Sequence, residues 1–287
     1  MDICIIGYRD ENSRYLYEEF RKKDFSKVFL TDISKLNVRI SNKKISIYYK
    51  NKTELNWDVY LLRTGAEDYF SYLVANTLEE KAVVLPSSKA ILSVGDRGLL
   101  AKTIFESKSL LQPVTYISSS DEAAKRVAVK FKKIALKFGK HGGKGVAIIN
   151  KPSTSSDLLS IFSGIVQPFC IQKFVEGEII KSLVVGEEVI GVKEYLPAEE
   201  ERSNKGKKEY LRLKEEIKSA LLKFAKYLGA DFFEADLIKG KRKYFLIDVS
   251  LNPDLKMYAD LSGKNVGAIF ADYILRNYSI VQKNLNF

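Results

Sequence analysis

Apolar runs and helically spaced apolar residues alternate along the first part of the chain. Residues 2–8 form a short apolar run, and residues 11–23 carry Tyr15, Leu16 and Phe20 at helical spacing. Residues 28–30, 45–49 and 57–63 read as strands, the last ending in Arg63-Thr64-Gly65. Residues 67–80 read as a helix, and 82–85 as a buried strand stopped by Pro86. Strands alternating with helices predict a mostly parallel sheet covered on both faces. That is a small doubly wound α/β domain ending near Ser88.

The pattern then changes character. Residues 90–108 read as one helix containing Asp96-Arg97, and 111–117 as a strand. Ser119 and Glu122 have the spacing of a capping box that opens a helix reaching about residue 130. Two strands, 133–138 and 146–150, flank a glycine-rich stretch. Further strands follow at 169–175, 179–185 and 189–196, the last two joined by a tight turn at Gly186-Glu187. Residues 199–208 form a highly charged loop. An amphipathic helix spans 211–228 and stops at Gly229. Residues 232–238 and 243–249 form a hairpin, and 266–277 a last helix. No internal repeat or low-complexity tract interrupts this order.

Composition narrows the class. The chain has 287 residues, 46% hydrophobic and 29% charged, the profile of a globular protein of two or three modules. No apolar run approaches the roughly 20 residues of a membrane helix, and the N-terminus lacks the basic region of a signal peptide. A cytoplasmic location is expected. Cys4 and Cys170 both lie in apolar runs, which predicts buried free thiols. The net charge of +11 favours anionic partners. It does not select nucleic acid: no aromatic RNA-binding stretch and no zinc spacing is present.

Candidate chemistry sits in two places. The first is the run from Gly139 to Gly145, with Gly139, Gly142, Gly143 and Gly145, two lysines and the only histidine, His141. Glycines let backbone N–H groups wrap an anion, and lysines add charge. A P-loop or a dinucleotide fingerprint would open a helix. This loop joins two strands, so it predicts a hairpin flap over a ligand. Lys137, within the preceding strand, then faces a buried anion rather than solvent.

The second is an acidic pair in the last hairpin. Asp236 and Asp248 lie inside apolar strands, where carboxylates are costly unless paired or bound to a cation. A three-residue loop over 240–242 would set residue 236 opposite 246 and put both aspartates on one face. A two-residue loop would separate them. Two carboxylates on one face suit Mg²⁺, with Ser250 or Asn252 as a further oxygen donor. Salt bridges to lysine are the competing explanation.

The order of these parts resembles the ATP-grasp superfamily, and within it the RimK/LysX-type amino-acid ligases. The likeness runs from about Trp57 to about Asn277. It is carried by the run from Ser182 to Val189, by Arg202-Ser203-Asn204, and by the spacing of Asp236 and Asp248. The resemblance implies an ATP-grasp fold: an N-terminal α/β domain over 1–88, then two α+β subdomains over 89–175 and 176–287 enclosing a nucleotide. It implies ATP and Mg²⁺ (or Mn²⁺) as cofactors.

Roles follow position by position. Arg97 and Lys137 would contact phosphates, and Gly139 to Gly145, with His141, would close over them. Gln172, Lys173, Phe174 and Val175 would run past adenine, and Glu178 or a neighbour would hold the ribose. Arg202 would be catalytic, stabilising the transferred phosphoryl group. Asp236, Asp248, Ser250 and Asn252 would serve the metal, and Lys181 and Asn204 the substrate. Three departures stand out. Asp248-Val249-Ser250 replaces the family's Glu-x-Asn, Ile179-Ile180-Lys181 replaces its acidic-x-Arg, and Asp254 follows Pro253 where a glycine is usual.

The implied reaction joins a carboxylate to an amine, such as that of glutamate, through an acyl phosphate. The carboxylate is a small molecule or an acidic peptide, and the chain is expected to form a homo-oligomer away from membranes. An ATP-grasp kinase, a ligase of another acid, and a nucleotide-binding protein without turnover are the rival readings.

Overall fold

The computed structural model describes residues 1–8, 10–66, 68–137, 145–162, 168–195, 206–241 and 243–278. The first part contains β1 (Asp2–Gly7), α1 (Glu11–Arg21), β2 (Lys27–Asp32), β3 (Leu36–Ile40), β4 (Ile45–Tyr49), β5 (Thr53–Glu54), β6 (Val59–Arg63), α2 (Tyr69–Glu79) and β7 (Val83–Leu85). The middle contains α3 (Ser88–Gly95), α4 (Arg97–Ser107), β8 (Thr115–Ser118), α5 (Asp121–Ala128), β9 (Ile134–Lys137), β10 (Val146–Ile149), α6 (Pro152–Phe162) and β11 (Phe169–Lys173). The last part contains β12 (Glu178–Val185), β13 (Glu188–Tyr195), β14 (Lys207–Leu211), α7 (Glu215–Leu228), β15 (Phe232–Lys239), β16 (Tyr244–Ser250), α8 (Leu255–Ser262) and α9 (Val266–Tyr278).

The predicted parallel sheet is present, in the order β2-β1-β6-β7. Its central strands are apolar at consecutive positions because both faces are covered. Ile3, Ile5 and Leu61 pack with Leu16 and Phe20 of α1 and with Phe270 of α9. Cys4, Ile6 and Leu62 pack on the opposite side with Val74 and Leu78 of α2. A small antiparallel sheet, β3-β4-β5, is added beside it. Its two outer strands were not predicted: β3 is five residues long and mostly exposed, and β5 has two residues.

Two antiparallel sheets follow, β10-β9-β11-β8 and β14-β13-β12-β15-β16. The first lies against α5 and α6 through Ile134, Leu136, Phe169 and Ile171. The second is covered by α7 on one face and by α8 and α9 on the other. Gly186, at φ 60°, makes the turn between β12 and β13, and Gly229, at φ 77°, ends α7 in the left-handed conformation that glycine adopts without strain. No helix among the described residues is long and apolar enough to cross a membrane.

Four local expectations are corrected. The helix predicted over 90–108 is two helices, because the Asp96 side chain accepts a hydrogen bond from the Leu99 amide at 2.8 Å and starts α4 afresh. The cap of α5 is Ser120, not Ser119: its hydroxyl accepts from the Ala123 amide, and Glu122 pairs with Arg126 instead. Helix α7 starts at Glu215, because Leu211 is captured by β14, where it pairs with Gly191 of β13. The predicted loop over 199–208 lies outside the described residues up to 205, and Lys207 and Lys208 belong to β14. Helices α6 and α8 were not anticipated.

The acidic hairpin differs most instructively. Lys239 pairs with Tyr244, so the connection spans 240–243, and Leu237 pairs with Leu246. That register alone would put Ile247 opposite Asp236 and send Asp248 to the other face. A β-bulge lies between these pairs, and Asp236 pairs directly with Asp248. The bulge satisfies two demands together. Leu246 and Val249 both enter the core beneath α7, three residues apart rather than two, while the aspartates share the opposite face.

Candidate active site

The face of the β10-β9-β11-β8 sheet away from α5 and α6 is where β9 and β11 turn Lys137, Cys170 and Gln172. Period-2 alternation puts them there, since Leu136, Phe169 and Ile171 fill the helix side. Lys137 is buried and directly opposite Cys170. Its Nζ donates to the carbonyl of Ile247, the bulged residue of β16, at 2.6 Å. Burial lowers the pKa of this ammonium, and the charge of Asp248 opposes the shift.

Arg97, the first residue of α4, is also buried and lies 3.8 Å from the Asp248 carboxylate. Three elements distant in sequence therefore meet: α4 brings Arg97, β9 brings Lys137, and β16 brings Asp248. Two buried cations beside an acidic pair form an electrostatic environment suited to polyphosphate with a divalent ion.

On the other side of the pair, Lys181 of β12 is 2.9 Å from Asp236 and 3.1 Å from Glu234. Glu234 also accepts from the Tyr258 hydroxyl at 2.8 Å. Burial works against the lysine's charge, but Asp236 and Glu234 outweigh it and hold its pKa above the ordinary value. The resemblance assigns Lys181 to the substrate. Its ammonium instead belongs to the chain's own carboxylates. Glu234 and Tyr258 were missed, although the alternation Glu234-Ala235-Asp236 already put both acids on one face.

Oxygen donors for a metal are present, though few. Among the described residues no group of three or more His, Cys, Asp or Glu side chains is arranged to hold a metal ion. The candidate set is two carboxylates and an amide. Asn252 Oδ1 is buried with no hydrogen-bond partner among the described residues. That orphaned oxygen, following the acidic strand, fits a hard cation's need for neutral oxygen ligands beside carboxylates. Ser250 fits less well, because its hydroxyl accepts from the Asn252 amide at 3.2 Å and shapes the turn.

The nucleobase expectations divide. Gln172 is buried and donates to Thr115 Oγ1 at 3.0 Å. The Lys173 amide donates to the Val114 carbonyl at 2.9 Å and the Phe174 amide to that of Lys133 at 3.2 Å, so neither N–H is available to adenine. Gly145 is described, at φ 82°. Gly139, His141, Gly142, Gly143, Arg202 and Asn204 lie outside the described residues.

Glu178 is engaged elsewhere. Its half-exposed carboxylate accepts from Lys193 and Lys239, and these hydrogen bonds pull its pKa down to about 2 from 4.5. A lowered carboxyl stabilises the fold above its unfolded pKa, and that contribution is lost as pH falls through 4.5 toward 2. Glu178→Gln should cost less than about 1 kcal/mol at neutral pH, because water screens the pair. The difference from wild type should vanish in acid melts, and ATP affinity by calorimetry should not change. A loss of ATP affinity would restore the ribose role.

Comparisons place this geometry in context. A probable alpha-L-glutamate ligase of Xanthomonas euvesicatoria is 25% identical over 289 aligned residues, covering 96% of this chain and 97% of that protein. One from Methanococcoides burtonii is also 25% identical, covering 92% and 91%. The crystal structure of a RimK domain ATP-grasp protein from Sphaerobacter thermophilus superposes with a TM-score of 0.75 at 15% identity, covering 96% of this chain and all of that one. The ATP-grasp ligase PsnB, complexed with a precursor variant, Mg and ADP, gives 0.74 at 14%, covering 96% and 98%. At these identities the structural likeness is one of fold. The profile of the RimK-like ATP-grasp domain matches residues 94–274, the span that contains Arg97, Lys137, Asp236 and Asp248, and the chain belongs to that family.

Proposed function

We propose that this chain, an ATP-dependent ligase by family, joins a carboxylate to an amine and that glutamate is one of the two partners. The observation that carries the reading is the meeting of Arg97 and Lys137 with Asp248 beside Asp236. The names of the curated relatives support glutamate. The three-part division at residues 88 and 175 is proposed with it, the nucleotide lying between the second and third parts.

In this reading the substrate carboxylate attacks the γ-phosphorus of ATP. The bond to ADP breaks, leaving an acyl phosphate. The amine nitrogen then attacks the carbonyl carbon, phosphate leaves, and the amine gives up a proton. Lys137 and Arg97 hold the phosphates and offset their charge. Asp236, Asp248 and Asn252 would hold Mg²⁺ or Mn²⁺, which supplies further charge stabilisation for the transferred phosphoryl group. Arg202 is assigned to the same charge, and Asn204 to the substrate. The backbone at Val175 takes the adenine edge without the Lys173 amide, which the Val114 carbonyl engages. No protein nucleophile is required, so catalysis is positioning and electrostatics.

The test is ADP release by the purified chain with Mg²⁺, glutamate, and a panel of small carboxylates and acidic peptides. Release that needs a carboxylate and an amine together is expected. Release with one acceptor and no amide product would make the chain a kinase. Calorimetric ATP binding with no release across the panel would favour a binder without turnover.

A further inference from the structure

The motif Arg63-Thr64-Gly65, noted at the end of a strand, has no part in the site so far. Arg63 closes β6, a central strand of the parallel sheet, and is 1% exposed. Its guanidinium meets two separate parts of the chain. Toward the N-terminal part, Nε donates to Ser13 Oγ at 3.4 Å, and Nη2 lies 3.7 Å from Asp10. Toward the C-terminal part, Nη1 and Nη2 both donate to the Pro253 carbonyl at 3.4 Å, and the group sits 5.9 Å from the Phe232 ring centre. Burial lowers its pKa to about 10, with Asp10 and Asp254 opposing. Gly7 makes room for it: a Cβ there would come within 2.7 Å of Ser13 Oγ and 3.3 Å of Arg63 Cβ.

Pro253 follows Asn252, whose orphaned Oδ1 belongs to the candidate metal set. This link between β16 and α8 has no ladder of its own. It is fixed by the Asn252 amide on Ser250, by Asp254 capping α8, and by Arg63 on the Pro253 carbonyl. We propose that Arg63 is a positioning residue for the metal centre: through the Pro253 carbonyl it sets where Asn252 presents its oxygen. The inference rests on the metal reading given under Proposed function. A buried guanidinium contributes little to stability for its desolvation cost, and an apolar replacement is often tolerated. Its worth here lies in a carbonyl that no other described donor takes up.

The experiment is Mn²⁺ binding in the presence of ADP, read from the free-ion electron paramagnetic resonance signal, on full-length protein. Arg63→Met should weaken Mn²⁺ binding by about tenfold or more, the size found when a group supporting a metal ligand is lost. KM for ATP at saturating metal should stay unchanged. Arg63→Lys, which keeps a donor for Pro253, should recover part of the loss. Asp10→Asn keeps the cap of α1 but removes the charge beside Arg63, and should give a smaller shift in the same direction. If Arg63→Met does not fold, Asp10→Asn decides, and an unchanged Mn²⁺ affinity there overturns the proposal. An unchanged affinity in folded Arg63→Met overturns it too, while leaving the metal reading intact. Wild-type protein that binds no Mn²⁺ with ADP would remove the metal reading itself, and this inference with it.

Discussion

Asp248→Asn should lower ADP release by about 10²- to 10³-fold while the protein remains folded. That is the size of effect seen when one preorganised electrostatic group is removed from a reacting phosphoryl or acyl centre. The carboxylate occupies a junction. It is paired with Asp236 across the bulge, lies 3.8 Å from Arg97, and its charge supports the protonated state of Lys137. Asparagine keeps the shape and the oxygen but removes the charge, so a metal ion loses its anionic ligand. Asp236→Asn should abolish turnover as well. There Lys181 keeps Glu234 as its partner, so the metal-free protein should melt near the wild-type temperature. Steady-state ADP release across a Mg²⁺ series measures both variants. Full turnover at low Mg²⁺ in either would show that its carboxylate serves only the salt bridges.

Lys137→Met should weaken ATP binding by about 10- to 100-fold by calorimetry, the range expected when a buried charge-assisted contact is lost. The ammonium has three donors, and one of them goes to the Ile247 carbonyl. Methionine preserves the packing of the stem beside Cys170 and removes every donor, so the loss reports charge rather than a cavity. The Ile247 carbonyl also loses its donor, and amide exchange around β16 should quicken in this variant. Unchanged ATP affinity in a folded Lys137→Met protein would reject the assignment of this face to phosphate.

The parts of the candidate site that were legible have local signals. A lysine in an apolar strand and carboxylates in an apolar hairpin are each costly, and each cost is visible in a few residues. The order of the elements was legible for the same reason, since periods of two and 3.6 are written into neighbouring positions. The missed elements had weak local signals. Helix α8 opens straight after the Asn-Pro turn with one turn of mixed polarity, and β5 has two residues. The displaced boundaries were competitions between neighbours: Ser120 over Ser119 at a cap, and strand pairing over helix at Leu211.

The sequence by itself determined that Asp236 and Asp248 lie in paired apolar strands, that Lys137 leads into a glycine-rich connection, and that a parallel α/β sheet comes first. Only the tertiary structure decided which charges meet. Lys181 reaches Glu234 and Asp236 across 53 and 55 residues, Lys137 reaches Ile247 across 110, and Arg63 reaches Pro253 across 190. Such pairings are fixed by how sheets pack, not by any spacing along the chain. The bulge at Ile247 makes the same point within one hairpin. Counting from the loop put the aspartates on one face through a register that the chain does not use. They share that face because the core beneath α7 takes Leu246 and Val249 together, and one extra residue between them costs less than exposing either apolar side chain or burying an aspartate among them.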